Sequence, residues 1–177
     1  MDDNLSRAAR RALPAEPRPK DVVVRIDTRE QIPWTLSPLA TESATLDVGD
    51  YDLAVCPGQV VVERKGFGDF LSCCGGERAR WERQLLRLRG VLSQLVIVEC
   101  TWQDIERGQW SSRLSRKAVV GSVIGWMTSG TPFVFGGRPD QCDAIAARFF
   151  YIEYRRRWRE LRAMVGERPT VDETIAS

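Results

Sequence analysis

Two rhythms of apolar and polar residues run along this chain. The first belongs to strands. Val22-Val23-Val24-Arg25-Ile26 and Leu95-Val96-Ile97-Val98 are near-continuous apolar runs that close on acids, Asp27 and Glu99. Such runs predict strands covered on both faces, the first of them central in its sheet. Asp52-Leu53-Ala54-Val55 instead alternates, Pro57-Gly58 is a turn dipeptide, and Gln59 to Glu63 is rich in valine. Together they predict a β-hairpin. With Pro57 and Gly58 at the centre of the turn, Val55 faces Val60, Leu53 faces Val62, Asp52 faces Glu63 and Asp50 faces Lys65. Residues directly opposed share a face, so Leu53, Val55, Val60 and Val62 form an apolar side. Asp50, Asp52, Glu63 and Lys65 form a polar one. Thr45-Leu46-Asp47-Val48 and Thr131 to Phe135 predict two further short strands.

The second rhythm is helical. From Glu77 to Val91, the positions Trp81, Leu85, Leu88 and Leu92 make an apolar stripe at helical spacing. Arg116 to Ser129 predicts a helix with Val119, Val120, Val123, Ile124 and Met127 inward. A long helix over 139–165 follows, with Ile145, Phe149 and Ile152 on one stripe, extended by Trp158, Leu161 and Val165. Gly66 to Leu71 reads as a turn and short helix, broken by Gly75-Gly76. Trp102 to Arg107 is a short polar stretch, and 109–115 is loop. This order of strand, hairpin, helix, strand, helix, strand, helix predicts an α/β fold, a central mixed β-sheet flanked by helices.

Residues 1–20 are polar, rich in arginine and broken by Pro14, Pro17 and Pro19. They read as a flexible arm, either a plain terminus or one whose Arg7, Arg10, Arg11, Arg18 and Lys20 touch phosphates. Residues 21–165 form the domain, and 166–177 a mildly acidic tail.

Composition narrows the chemistry. The chain has no histidine, which removes His-ligated metals, Ser-His-Asp triads and imidazole bases. Its five cysteines form no Cys-x-x-Cys pair and read as free thiols, Cys73-Cys74 included. Lysine occurs only at 20, 65 and 117, so a lysine between acids at Lys65 stands out. No apolar run is long enough to cross a membrane, and no secretory pattern opens the chain. The expected location is therefore the cytoplasm or nucleoid (the nucleus in a eukaryote), not the secreted space. A net charge of +2 does not by itself mark a nucleic-acid binder.

The polar side of the hairpin carries the candidate chemistry. Clustered carboxylates repel unless a cation sits among them, and Asp and Glu oxygens suit Mg²⁺ or Mn²⁺. A lysine alongside stabilises charge growing on a phosphate. Asp50, Glu63 and Lys65 therefore point to hydrolysis of a phosphodiester; the competing reading is a solvated hairpin face.

Asp27-Thr28-Arg29-Glu30, Gly49-Asp50-Tyr51 and Glu63-Arg64-Lys65 with Asp69 occur in that order. This string resembles the nuclease domain of the XPF-type structure-specific endonucleases, a version of the PD-(D/E)XK core, over about Val22 to Phe150. The resemblance implies a restriction-endonuclease-like fold and a metal-dependent DNA endonuclease. It implies Asp50 and Glu63 as Mg²⁺ or Mn²⁺ ligands, with Asp27 assisting and the Arg64 carbonyl as a further ligand. Lys65 would act on the nucleophile or the developing charge. Arg29, Arg64 and Arg80 would hold phosphates, Gln84 would face the site one turn beyond Arg80, and Glu30 would support. Asp69 is a site residue by resemblance and a helix N-cap by local chemistry. The implied partner is branched or flapped DNA, in repair or recombination.

The resemblance also implies a homodimer or heterodimer. Phe149, Phe150, Tyr151, Tyr154 and Trp158 on the last helix would then cover a partner, or else pack within the chain. Arg155-Arg156-Arg157 and Arg159 bind DNA on one reading and keep the helix end solvated on the other. The helix-hairpin-helix domain usual after such nucleases is missing from the sequence. Two alternatives remain: a non-catalytic DNA-binding or scaffold subunit, and a resolvase or restriction-like nuclease with the same core.

Overall fold

The computed structural model describes residues 15–164, where six strands form one mixed sheet. They are β1 (Val23–Asp27), β2 (Ala40–Ala44), β3 (Tyr51–Leu53), β4 (Val60–Gly66), β5 (Ser93–Glu99) and β6 (Phe133–Phe135). The spatial order is β2-β1-β3-β4-β5-β6. The pairs β1·β2, β4·β5 and β5·β6 are parallel; β1·β3 and β3·β4 are antiparallel. The helices are α1 (Phe67–Cys74), α2 (Arg78–Leu88), α3 (Trp102–Arg107), α4 (Arg116–Thr128) and α5 (Pro139–Met164).

The sheet is covered on both faces, as the apolar runs require. Val61, Val96 and Val98 pack against Phe70, Trp81, Leu85, Ile105, Val119 and Trp126 from α1 to α4. Val60, Val62, Leu95 and Ile97 point the other way, against Cys142, Ala146 and Phe150 of α5. Adjacent residues of β4 thus serve opposite cores, which sends Glu63 and Lys65 to the α1–α4 side and Arg64 to the α5 side.

Several expectations need correction. The hairpin pairs Tyr51 with Val62 and Asp52 with Val61, two residues from the expected register. A slip of two leaves each side chain on its predicted face, because the period is two. The turn is wider than Pro57-Gly58 alone. Asp52 accepts the Gly58 N–H at 2.7 Å and pairs with Arg25 at 2.7 and 2.5 Å, while Val55 lies exposed. The strand expected at 45–48 lies instead at 40–44, since Leu46 is buried and its N–H is taken by Asp27 at 2.9 Å. β1 is second from the edge, and its Arg25 side is only half-buried. The polar stretch 102–107 is a helix, started by a Thr101–Asp104 capping box.

The inward faces of two helices also differ. In α4 the buried positions are Val119, Ser122, Val123 and Trp126, with Ile124 and Met127 exposed. In α5 they are Cys142, Ala146, Ala147, Phe150 and Glu153, with Ile152 and Leu161 exposed. Ser122 in α4 and Ala146 and Ala147 in α5 take inward places beside Trp126 and Phe150, against the weighting by size that the sequence invites. Leu92, beyond the end of α2, is exposed as well.

The aromatics of α5 are used within the chain. Phe150 is core. Tyr151 donates to the Pro17 carbonyl at 3.3 Å, and Tyr154 and Trp158 line a hollow shared with Glu16, Pro17 and Arg18. Arg155 pairs with Glu16, Arg156 with Glu153 at 2.9 Å, and Arg157 with Glu160 at 2.8 Å. Residues 15–18, the end of the expected arm, therefore lie against α5. Arg7, Arg10, Arg11, Val165 and the tail fall outside the described residues. No described helix is long and apolar enough to cross a membrane.

Candidate active site

The site lies where β3 and β4 part, on the face under α1 and α2. Gly49 makes the approach possible. Its φ is +73°, and a Cβ there would sit 2.1 Å from Val61 Cγ1 and 3.0 Å from the Val62 carbonyl. Only glycine meets both demands. Beyond Tyr51 the regular ladder ends: the Asp50 N–H donates to the Val62 carbonyl at 3.0 Å, and Asp50 Oδ2 accepts the Arg64 N–H at 2.7 Å. Asp50 is thereby held against β4.

Glu63 is fully buried. Its Oε1 accepts from Lys65 Nζ and from Gln84 Nε2, each at 2.6 Å. Its Oε2 is buried with no partner among the described residues. An orphaned carboxylate oxygen is costly unless something fills its place. Burial, and then the Glu63 charge, push the Asp50 carboxyl up to about 7. Burial acts to lower the Lys65 pKa, but the Glu63 carboxylate and then Asp50 hold it above the ordinary value. Lys65 is thus a cation at neutral pH, lying 5.0 Å from the centre of the Trp81 ring.

Asp50, Glu63, Lys65, Arg80 and Gln84 share a cleft of about 290 Å³ with Arg29, Asp47 and Arg87. Arg80 is 78% exposed, with one weak contact to Glu77 at 3.4 Å. Arg87 is a cleft residue that the sequence motifs did not mark. The spacing 80, 84, 87 on one helix face was the signal that could have found it. Asp69 is exposed and lines an adjoining hollow of about 280 Å³ with Lys65, Arg80 and Gln84. It is the third residue of α1, whose N-cap is Gly66, so the N-cap expectation is corrected.

Other predicted residues sit apart. Asp27 is buried and spends both oxygens on its own loop: Arg29 Nε and Nη2 at 2.7 Å each, the Arg29 N–H at 2.8 Å and the Leu46 N–H at 2.9 Å. The Arg29 guanidinium is the main reason its carboxyl stays well below the usual range. The Arg64 side chain lies on the α5 side of the sheet. It pairs with Glu99 at 2.9 Å and Glu30 at 3.2 Å, donates to the Ile32 carbonyl at 2.6 Å, and lies over the Trp34 ring at 5.0 Å. Trp34 in turn stacks on Tyr51 at 5.1 Å and donates its indole N–H to Glu99 Oε1 at 3.1 Å. Arg64 and Glu30 therefore clamp the loop after β1 to the end of β5. Glu99 was legible in the sequence only as the acid that closes a strand.

Among the described residues no three acids or cysteines cluster as a metal cage. What the site offers is a pair of carboxylates, one with a buried orphan oxygen and one resisting ionisation. This fits a hard divalent cation, since Mg²⁺ commonly binds one or two carboxylates and keeps several waters. The cysteines are all free, and burial pushes the Cys74 and Cys100 thiols up to about 12.

A six-stranded mixed sheet flanked by helices, with two acids and a lysine where two strands part, defines an α/β domain with a carboxylate-bearing cleft at a strand end. The structure is similar to XPF from Aeropyrum pernix, with a TM-score of 0.61 and 18% identity. The match covers 74% of this chain and 61% of that one; the chain thus spans about three fifths of the length of its match. The fold is that of the XPF nuclease domain, in line with the resemblance carried by the sequence string. No protein-family model and no curated protein sequence matches the chain.

Proposed function

We propose that this protein is a divalent-metal-dependent DNA endonuclease acting on branched or flapped DNA. The observation that carries the reading is the Glu63 carboxylate: fully buried, tied to Lys65 and Gln84 through one oxygen, orphaned at the other, beside an Asp50 that resists ionisation. Asp50 and Glu63 would hold Mg²⁺ or Mn²⁺. When bound, the ion lowers the pKa of an attacking water and offsets phosphate charge.

The chain's own residues do the rest. Glu63 fixes Lys65 Nζ by a 2.6 Å bond, so the ammonium is already placed to donate to a phosphate oxygen as negative charge grows. Gln84 holds the same Glu63 oxygen from α2, which keeps the carboxylate from turning its orphan oxygen away. Arg80 and Arg87 present positive charge to the DNA backbone at the cleft wall. Arg29 lines the same wall while its guanidinium is oriented by Asp27. Asp27 acts as a positioning residue rather than a ligand.

The test is cleavage of labelled flap, fork, four-way junction and linear duplex DNA with Mg²⁺ or Mn²⁺, using the native chain, Asp50→Asn and Lys65→Ala. Cutting by the native chain that is lost in both variants supports the reading. Preference for four-way or linear DNA would move it to the resolvase or restriction-like branch. DNA binding with no cutting under any metal would leave a scaffold subunit.

A further inference from the structure

The catalytic cleft does not end at Lys65. Three hollows lie in a row along α1 and α2. The cleft shares Lys65, Arg80 and Gln84 with the hollow of about 280 Å³, and that hollow shares Ser72 and Glu77 with a third, of about 650 Å³. The third runs between α1 and the 110–114 loop, and its character differs from the others. Leu71, Trp110 and Leu114 give it apolar walls, Ser111 and Ser112 add hydroxyls, and Arg113 stands at its margin. The Trp110 ring is held in place by an edge contact with Phe67 at 6.2 Å and by its N–H bond to the Leu114 carbonyl at 2.9 Å. Nothing lies within 4 Å of where a Cβ would stand on Gly68 or Gly76, so the opposite wall is open.

We propose that this groove takes the base of an unpaired nucleotide in the DNA strand that passes through the cleft, with Arg113 on its phosphate. The inference rests on the nuclease reading above. A fixed aromatic with aliphatic neighbours accepts any base by its flat face, the usual means of holding single strands. Paired bases cannot enter, because their faces are already stacked. Charge sorts the two ends of the nucleotide. Arg113 is exposed and makes no ion pair among the described residues, which leaves it free for a phosphate.

The experiment is fluorescence anisotropy in EDTA. The probes are a fluorescein-labelled thymidine oligonucleotide of about 12 nucleotides and a duplex of the same length. Gly68→Phe fills the groove from its open wall, and Arg113→Gln removes the phosphate contact at an exposed position. Thermal melts confirm that each variant is folded. Both should weaken oligonucleotide binding about fivefold or more and leave duplex binding nearly unchanged. Unchanged oligonucleotide binding, or an equal loss on both probes, overturns the proposal. If both variants bind like the native chain and the native chain cuts DNA with Mg²⁺, the groove alone fails. If the native chain binds neither probe and cuts nothing, the nuclease reading fails and takes the groove with it.

Discussion

Asp50→Asn in the metal-free protein should remove a pH dependence of stability. The native carboxyl is pushed up to about 7, first by burial and then by the Glu63 charge. The folded protein therefore binds this proton more tightly than the unfolded chain, whose aspartates titrate near 4. Between pH 4 and about 7 the folded state holds the extra proton, so its stability falls as pH rises through that window. Above it the penalty is complete. A displacement of this size corresponds to at most about 4 kcal/mol. Relaxation around a partly exposed group, with Lys65 near, brings the expected value to about 1–3 kcal/mol. Asn keeps the shape and still accepts from the Arg64 N–H while removing the charge. Urea denaturation in EDTA at pH 5 and pH 8 measures the effect. The native chain should lose about 1–3 kcal/mol relative to Asp50→Asn on going to pH 8. Adding Mg²⁺ at pH 8 should then restore the native chain and leave the variant unmoved; at 100-fold over Kd the gain is about 2.7 kcal/mol. Parallel pH curves for the two proteins would refute the argument, because the variant lacks the one carboxyl held to titrate in this window.

The other predictions concern the residues that hold the site together. Gly49→Ala should destabilise the fold by about 2–4 kcal/mol, since its Cβ meets Val61 at 2.1 Å in a left-handed conformation; a loss under about 1 kcal/mol in urea titration counts against a close approach here. Lys65→Ala should slow single-turnover cleavage by about 10²–10³-fold and also destabilise the chain, as Glu63 keeps only Gln84 as a partner. Lys65→Arg should not rescue cleavage, because a planar fork replaces a point donor. Asp27→Asn should cost about 1–3 kcal/mol near neutral pH through lost bonds to Arg29 and Leu46, yet leave Mn²⁺ affinity by calorimetry nearly unchanged. Asp27 has its carboxyl held low, so its contribution is present above about pH 4 and fades as pH falls below. A large loss of Mn²⁺ affinity in that variant would make Asp27 a ligand after all.

Much of the molecule was legible along the chain. The apolar runs at 22–26 and 95–98 are strands because continuous valine and isoleucine suits burial on both faces. The Trp81, Leu85, Leu88 stripe is buried as its spacing requires. The division of the hairpin into two faces survived an error in register, since a shift of two returns every side chain to its own side. The inward face of α5 was misjudged for a physical reason. Side-chain size marks what is greasy, whereas distance from the sheet decides what fits, and the close face of α5 admits Ala146 and Ala147 where Ile152 would not go.

The sequence by itself determined every strand but β2, most helices, and the shared face of Asp50, Glu63 and Lys65, because period-two and helical spacing are local geometry; Gln84 came from the family resemblance. It could not assign the second task of each charged residue. Asp27 and Arg29 satisfy one another, Arg64 reaches Glu30 and Glu99 across the opposite face, and Glu63 is left with one orphan oxygen. Glu30 and Glu99 are widely separated in sequence, and only the tertiary structure decided which would meet the guanidinium and which carboxylate would be left unmet. Pairing between distant charges depends on where the sheet order β2-β1-β3-β4-β5-β6 brings strand ends together, and no short-range pattern encodes that.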